Sequence, residues 1–369
     1  MDGAGRYALN LVRALLDLDT RNEYIVYVSE EQEEQTPLRP VVAGRAELRG
    51  LPLAHMDLRQ HWKLRGLVAR DRADVYHYCS YDFPALAPPR AVFTLHDANP
   101  FLWRGFYARG DGLKRRWVRW LVARGVHRAE VLVPSQATRE SLIRALPDAA
   151  RRTRIVHLGV DPGQHVRCSD QQAEAVRQRL GLGPEPVVLC LGTNRPHKNL
   201  ARLIEAFCDL RQRHAVSAQL VLAGFWYDRY PEARQLLERL PPGVAAVRTG
   251  HVSEPDVAGL YSLAAAVALV SLSEGFGFPV LEAMCYGAPA VVSRGTAMEE
   301  IAGPAAELVD PLSVPNIAAG LQHVLADSQR AQELRRAGEE RVRAFPWRDT
   351  AAATLEAYQD AAAGGRRGS

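Results

Sequence analysis

The stretch Glu274-Gly275-Phe276-Gly277-Phe278-Pro279-Val280-Leu281-Glu282 decides how this chain is read. Two carboxylates stand eight positions apart, and everything between them is glycine or apolar. A solvated loop would carry polar residues here, and a core strand would exclude both glycines. Gly275 and Gly277 let the backbone approach a ligand closely. Pro279 suits the first turn of a helix, where a missing N–H is of no consequence. The spacing predicts a helix through Leu281 and Met284 that stops near Gly287. Glu274 then sits on a loop at the helix mouth and Glu282 one turn in, so that both carboxylates and several backbone N–H groups face one pocket.

Around this segment the chain alternates apolar, β-branched runs with helix-period segments. Strands are expected at Tyr24–Val28, Val75–Tyr78, Ala91–Leu95, Val131–Val133 and Ile155–His157. Others are expected at Val187–Leu191, Gln219–Ala223, Val244–Arg248, Ala266–Val270, Ala290–Ser293 and Ala306–Val309. Helical spacing fills the gaps, as in Leu200, Leu203, Ile204, Phe207 and Leu210. This alternation predicts an α/β protein with parallel sheets covered on both faces. The pattern restarts after Gly159-Val160-Asp161-Pro162, which predicts two doubly wound domains, residues 1–160 and 161–345. In such sheets ligands bind outside the carboxyl ends of the strands.

Composition narrows the function classes. With 369 residues, 47% hydrophobic and 24% charged, the chain reads as folded and globular. No window reaches the length of a membrane-spanning apolar helix, and the first residues lack the blocks of a signal peptide. Five cysteines without paired spacing read as reduced thiols of a cytosolic protein, and no clustered Cys/His spacing points to zinc. The net charge of +4 is uneven: residues 1–160 hold 25 Lys and Arg against 18 Asp and Glu, residues 161–369 hold 21 against 24. Residues 101–160 alone carry 13 basic and 4 acidic side chains. That excess reads as a surface for an anionic partner or as a solvated arginine-rich face.

Three further segments could carry chemistry. In Leu191-Gly192-Thr193-Asn194-Arg195-Pro196-His197-Lys198-Asn199-Leu200, Arg195 and Lys198 project from a strand end beside a helix start, where paired cations suit a pyrophosphate. Read alone, they are equally two solvated surface cations. In Phe93-Thr94-Leu95-His96-Asp97, a strand ends on His96, which reads as a proton donor or acceptor, or as a satisfied structural histidine. Gly3-Ala4-Gly5-Arg6-Tyr7 opens a helix whose apolar face includes Leu9, Val12, Leu15 and Leu16, and a glycine turn there can hold phosphate.

In this order the four segments resemble the retaining glycosyltransferases of family 4, which have the GT-B fold of two Rossmann-like, doubly wound domains facing across a cleft. The resemblance covers nearly the whole chain. It includes Val133-Pro134-Ser135-Gln136-Ala137-Thr138, Val156-His157-Leu158-Gly159-Val160-Asp161, Gly250-His251-Val252-Ser253 and Glu299-Glu300-Ile301-Ala302-Gly303. Phe345-Pro346-Trp347, Thr350 and Tyr358 look like the helix that crosses back onto the first domain, placed at residues 346–362. The resemblance implies that Glu282 binds the ribose hydroxyls of a nucleoside-diphosphate sugar. Glu274 holds a hydroxyl of the donor sugar, with Gly275 and the backbone around Phe276 and Gly277. Arg195 and Lys198 neutralise the leaving diphosphate, Gly5 approaches it from the other domain, and His96 contacts the transferring sugar. His96, Glu274 and Lys198 are thus the expected catalytic residues.

It further implies transfer of a hexose or deoxyhexose, with retention and without a metal or other cofactor, to a glycan, glycolipid or natural-product acceptor. Mannosyl-type transferases of polysaccharide assembly look most similar, and no nucleic-acid partner is implied. The rivals are a phosphorylase or epimerase of the same fold and a non-catalytic nucleotide-sugar-binding subunit. Two departures stand out: Thr193 occupies a position where many relatives have arginine, and relatives open with a strand that this chain lacks before Gly3. The second leads to the expectation that the natural product starts upstream. Finally, Lys114-Arg115-Arg116-Trp117-Val118-Arg119-Trp120-Leu121, within a helix spanning 111–128, admits two readings. Either Trp117, Trp120 and Leu121 pack the core while arginines face water, the preferred reading, or the helix rests peripherally on an anionic membrane and meets a lipid-linked acceptor.

Overall fold

The computed structural model describes residues 3–53, 57, 59–79, 83–84, 90–98, 112–214 and 216–364, with the backbone alone at Lys114, Arg115 and Val118. The chain divides into two units, residues 1–159 with 345–369, and residues 160–344. Among the described residues every strand pairing in both is parallel.

In the first unit, β1 (Ile25–Ser29) pairs with β2 (Glu47–Leu51). A second sheet runs β3 (Tyr76–Tyr78), β4 (Ala91–Thr94), β5 (Ala129–Val133) and β6 (Thr153–Ile155), in that order. Alternation along β4 sets its two faces. Ala91, Phe93 and Leu95 join Val122 and Val126 of the helix Gly112–Arg128 in one buried cluster. Val92 turns the other way and packs on Ala357 and Ala361 of the helix Trp347–Ala362. Thr94 and His96 follow Val92 by parity onto that second face. The helix Gly3–Leu18 buries Tyr7, Leu11, Ala14, Leu15 and Leu16, a stripe rotated from the expected one, with Leu9 and Val12 only half-buried.

The second unit is one six-stranded sheet. Its strands are β7 (Val187–Leu191), β8 (Gln219–Ala223), β9 (Ala245–Gly250), β10 (Ala264–Leu269), β11 (Ala290–Ser293) and β12 (Ala306–Val309). The order β12-β11-β10-β7-β8-β9 is that of the doubly wound dinucleotide-binding fold, and its order reverses between β7 and β10. Val188, Cys190, Leu220, Leu222, Ala266 and Ala268 bury one face under the helices Leu200–Arg213 and Val314–Ala326. Val187, Leu189 and Val221 are equally buried on the other, which is why these strands read as unbroken apolar runs.

Two expectations are corrected. β2 was not foreseen: Glu47-Leu48-Arg49-Gly50-Leu51 mixes charge and glycine in a half-exposed strand. The preferred reading of the basic helix also fails for its tryptophans, because Leu121 is buried at 4% while Trp117 and Trp120 are 41% and 45% exposed. The two indoles stack on each other, with centroids 5.0 Å apart, rather than entering the core.

Candidate active site

At the reversal point two strand ends face each other. β7 leads through Gly192–Arg195 into a single 3-10 turn, Pro196–Lys198, and then into the helix Leu200–Arg213. β10 leads through Val270–Gly277 into the helix Phe278–Cys285, which has Pro279 in its first turn and ends before Gly287. Gly277 caps that helix at φ 98°, a left-handed conformation that favours glycine, and a Cβ there would meet Met298 Cγ at 2.9 Å. Side chains stitch the two loops together. Asn199, itself left-handed at φ 60°, donates to the carbonyls of Val270 (3.0 Å) and Pro311 (2.7 Å). The Leu272 N–H donates to the His197 carbonyl at 2.7 Å.

A small cavity lies between the loops, lined by Gly192, Thr193, Lys198, Glu274, Gly277 and Met298 among others. Lys198 Nζ and Glu274 Oε1 form an ion pair of 2.7 Å inside it, at 23% and 16% side-chain exposure. Burial pushes the Glu274 carboxyl up, but Lys198, His197 and hydrogen bonds from Lys198 and Ser271 outweigh it and hold it below the usual range. Glu274 is therefore ionised near pH 7. His197 is the reverse: burial lowers it to about 4, Lys198 and Arg195 assisting against the pull of Glu274, so it stays neutral. Burial also raises the Cys190 thiol to about 12, which makes this lining cysteine no nucleophile. Leu200 and Pro279 bring the N-terminal ends of both helices to the cavity wall. With Lys198 they offer positive potential to an anion.

The remaining expected residues separate by place. Glu282 does not line this cavity. It follows Phe278 by four residues on the helix, is 3% exposed, and accepts the Tyr261 hydroxyl on Oε2 at 2.9 Å. Tyr261 stacks flat on Tyr286, centroids 5.0 Å apart at 9°. Helix rotation thus gives Glu274 and Glu282 different immediate neighbours. Gly275 and Phe276 are buried in the loop before the cap. Arg195 lies against Tyr227, its Nη2 3.1 Å from the phenol oxygen and its guanidinium carbon 5.1 Å from the ring centre. Gly5 and His96 belong to the first unit, Gly5 in the first turn of its opening helix and His96 just past β4.

Several supports were not legible beforehand. Asn194 holds the loop after β8, donating to the carbonyls of Tyr227 (2.9 Å) and Tyr230 (2.8 Å) and accepting the Tyr227 N–H at 2.6 Å. Gly224, at φ 133°, lets that loop pass the cation loop, because a Cβ there would run into the Gly192 carbonyl. Gly224→Ala is expected to lower stability by roughly 2–4 kcal/mol through overpacking and left-handed strain. Thermal unfolding measures this, and an unchanged melting temperature would contradict it.

Comparison with known proteins bears on this architecture. Residues 172–341 match the model of glycosyl transferases group 1. Residues 1–164 match that of glycosyltransferase family 4. The chain belongs to this glycosyltransferase family. Among curated members it is 27% identical to O-antigen chain mannosyltransferase B of Escherichia coli, over 97% of this chain and 96% of that one. It is 30% identical to MMP alpha-(1->4)-mannosyltransferase of Mycolicibacterium hassiacum, over 68% of this chain and 59% of that one. In fold it is similar to the Anabaena protein HepE, solved with UDP-glucose, at TM-score 0.76 and 20% identity over 98% and 96% of the chains. It is also similar to WaaG, a glycosyltransferase involved in lipopolysaccharide biosynthesis, at TM-score 0.69 and 16% identity over 96% of each chain. The fold is GT-B, and the glycosyltransferase has its cation loop and its Glu274–Glu282 loop at the switch point of one Rossmann-like sheet.

Proposed function

We propose that this glycosyltransferase retains configuration while moving a hexose or deoxyhexose from a nucleoside diphosphate to a glycan or lipid-linked glycan. The Lys198–Glu274 pair in the switch-point cavity carries the reading. The C1–O bond to the diphosphate breaks, and the acceptor oxygen bonds C1 on the same face. The acceptor's proton passes to the departing diphosphate. Positive charge grows on the sugar and negative charge on the diphosphate. Lys198, Arg195 and the Gly5 backbone meet the negative charge, while Glu274 and His96 hold the sugar. Gly275, Phe276 and Gly277 supply backbone, and Glu282 takes the ribose. The scheme uses no metal. Relatives named as mannosyltransferases favour a mannosyl-type donor. A thermal-shift panel of nucleoside diphosphates and their sugars tests this, since a ligand bound only by the folded state raises apparent stability. Stabilisation by at least one nucleoside diphosphate is expected; none across the panel would contradict the reading.

We further place the enzyme at the cytoplasmic face of an anionic membrane, held peripherally. Among the described residues no helix is long and apolar enough to cross one. Trp117, Trp120 and Leu113 (84% exposed) stand on the helix Gly112–Arg128, and His61 meets Trp117 ring to ring at 5.5 Å, bringing up the helix Gln60–Val68 with its exposed Trp62. Arg116 and Arg119 stand on the first of these helices, Lys63 and Arg65 on the second, and Arg124 lies over Trp120. Asp111 and the side chains of Lys114, Arg115 and Val118 lie outside the described residues. Exposed indoles on helices that also carry cations suit a headgroup interface. W117S/W120S is expected to lower binding to phosphatidylglycerol-containing vesicles at least tenfold, each ring contributing on the order of 1.5–3 kcal/mol. Flotation at low salt measures it, and unchanged flotation would contradict this placement.

A further inference from the structure

Behind His96 the first unit holds a chain of polar side chains, buried at Tyr7 and Thr94 and half-buried at His77 and Tyr358, that no role above uses. The Tyr358 hydroxyl lies 2.8 Å from His77 Nδ1, and His77 Nε2 lies 2.7 Å from Thr94 Oγ1. Thr94 Oγ1 lies 2.9 Å from the Tyr7 hydroxyl. Tyr7 meets the His96 ring edge to face, centroids 4.8 Å apart at 80°, and His96 Nε2 donates to the Cys79 carbonyl at 2.8 Å. Burial pushes His77 down to about 3, with His96 adding to the effect, and raises both tyrosines. The chain is therefore neutral across the range in which enzymes are usually assayed.

The arrangement is a ladder between two neighbouring strand ends. His77 and Cys79 are two residues apart along β3 and its continuation, and Thr94 and His96 are two apart along β4 and its continuation, so each pair shares a face. One rung is His77 to Thr94; the next is His96 to Cys79. A neutral imidazole has one N–H and one lone pair, so the chain from Tyr358 to Tyr7 runs in a single direction at a time. Removing one member therefore re-aims the others. A carbonyl only accepts, so the Cys79 rung requires a proton on His96 Nε2, and in the neutral ring Nδ1 is then the lone-pair nitrogen.

We propose that His77 is a positioning residue for His96: the Tyr358–His77–Thr94–Tyr7 chain fixes the end of β3 and the Tyr7 ring, and so holds His96 in the Nε2–H tautomer that presents Nδ1 to a hydroxyl of the transferring sugar. This rests on the reading that His96 contacts that sugar. The test uses the full chain, with kcat and donor KM for wild type, H77L, H77Q, H96A and H77L/H96A. Alongside, the imidazole ¹⁵N shifts of His96 report its tautomer. H77L is expected to lower kcat roughly ten- to hundredfold, with donor KM within about twofold, because a small misplacement of a contacting group is that expensive. The same variant should move His96 from the Nε2–H pattern to mixed tautomers. H77Q, whose amide can still reach Thr94, should recover most of the loss, and H77L should cost nothing more once His96 is gone. If H77L folds poorly, Y358F removes a single hydroxyl and is read by the same shifts. An unchanged tautomer pattern, or an H77L effect that is fully retained in the H96A background, overturns the proposal alone. Wild-type kinetics in H96A overturn the reading of His96 and the proposal with it.

Discussion

Glu274→Gln is expected to lower kcat roughly 10²- to 10³-fold while the donor dissociation constant stays within about tenfold of wild type. The carboxylate is ionised because Lys198, 2.7 Å away, together with the hydrogen bonds to the carboxylate, outweighs its burial. A fixed negative charge beside a sugar ring that becomes positive stabilises the transition state more than the ground state. Gln keeps the shape and one oxygen for Lys198 but removes that charge, so binding changes little and transfer changes much. Loss of the ion partner should also destabilise the fold, by about 1–2 kcal/mol given partial exposure of the pair. Steady-state kinetics and calorimetric titration separate the two effects. A kcat within about threefold of wild type would rule out a transition-state role, on the same scale as other single electrostatic groups.

Glu282→Ala is expected to act on binding instead. Its buried carboxylate is oriented by Tyr261, which stacks on Tyr286, so the acceptor oxygens are held before any ligand arrives. Hydrogen bonds to a charged group contribute about 1.5–3 kcal/mol, so the dissociation constant of a nucleoside diphosphate should rise roughly 10- to 100-fold. At saturating donor, kcat should change only a few-fold, because the bond is made in ground and transition states alike. A dideoxy ligand sharpens the test. Wild type should prefer the ribonucleotide over its 2′,3′-dideoxy form, and Glu282→Ala should lose that preference. A variant that still discriminates would assign the ribose to another group.

The second unit was more legible than the first, for physical reasons. Strands such as Val187–Leu191 and Gln219–Ala223 are buried on both faces, so they read as continuous apolar runs with sharp ends. The cap at Gly277 and Pro279 was legible because glycine and proline carry their backbone preferences locally. β2 was not, since a half-exposed strand of Glu47, Arg49 and Gly50 has no such signal. The tryptophans of Gly112–Arg128 were misread because apolar residues spread around that helix, so periodicity did not mark which face is buried. Asn194, Asn199 and Gly224 act between loops distant in sequence. Only the left-handed turn at Asn199 had a local hint, in its place before a helix start.

The single most direct measurement is nucleoside diphosphate release by the purified full-length protein, run with each nucleotide sugar that measurably binds, with and without a glycan acceptor. Release that depends on the sugar nucleotide, rises with acceptor and falls roughly 10²-fold or more in Glu274→Gln is the expected result. Tight binding of a nucleotide sugar with no turnover of any donor would contradict catalysis at the Lys198–Glu274 cavity and leave a protein that only binds its ligand.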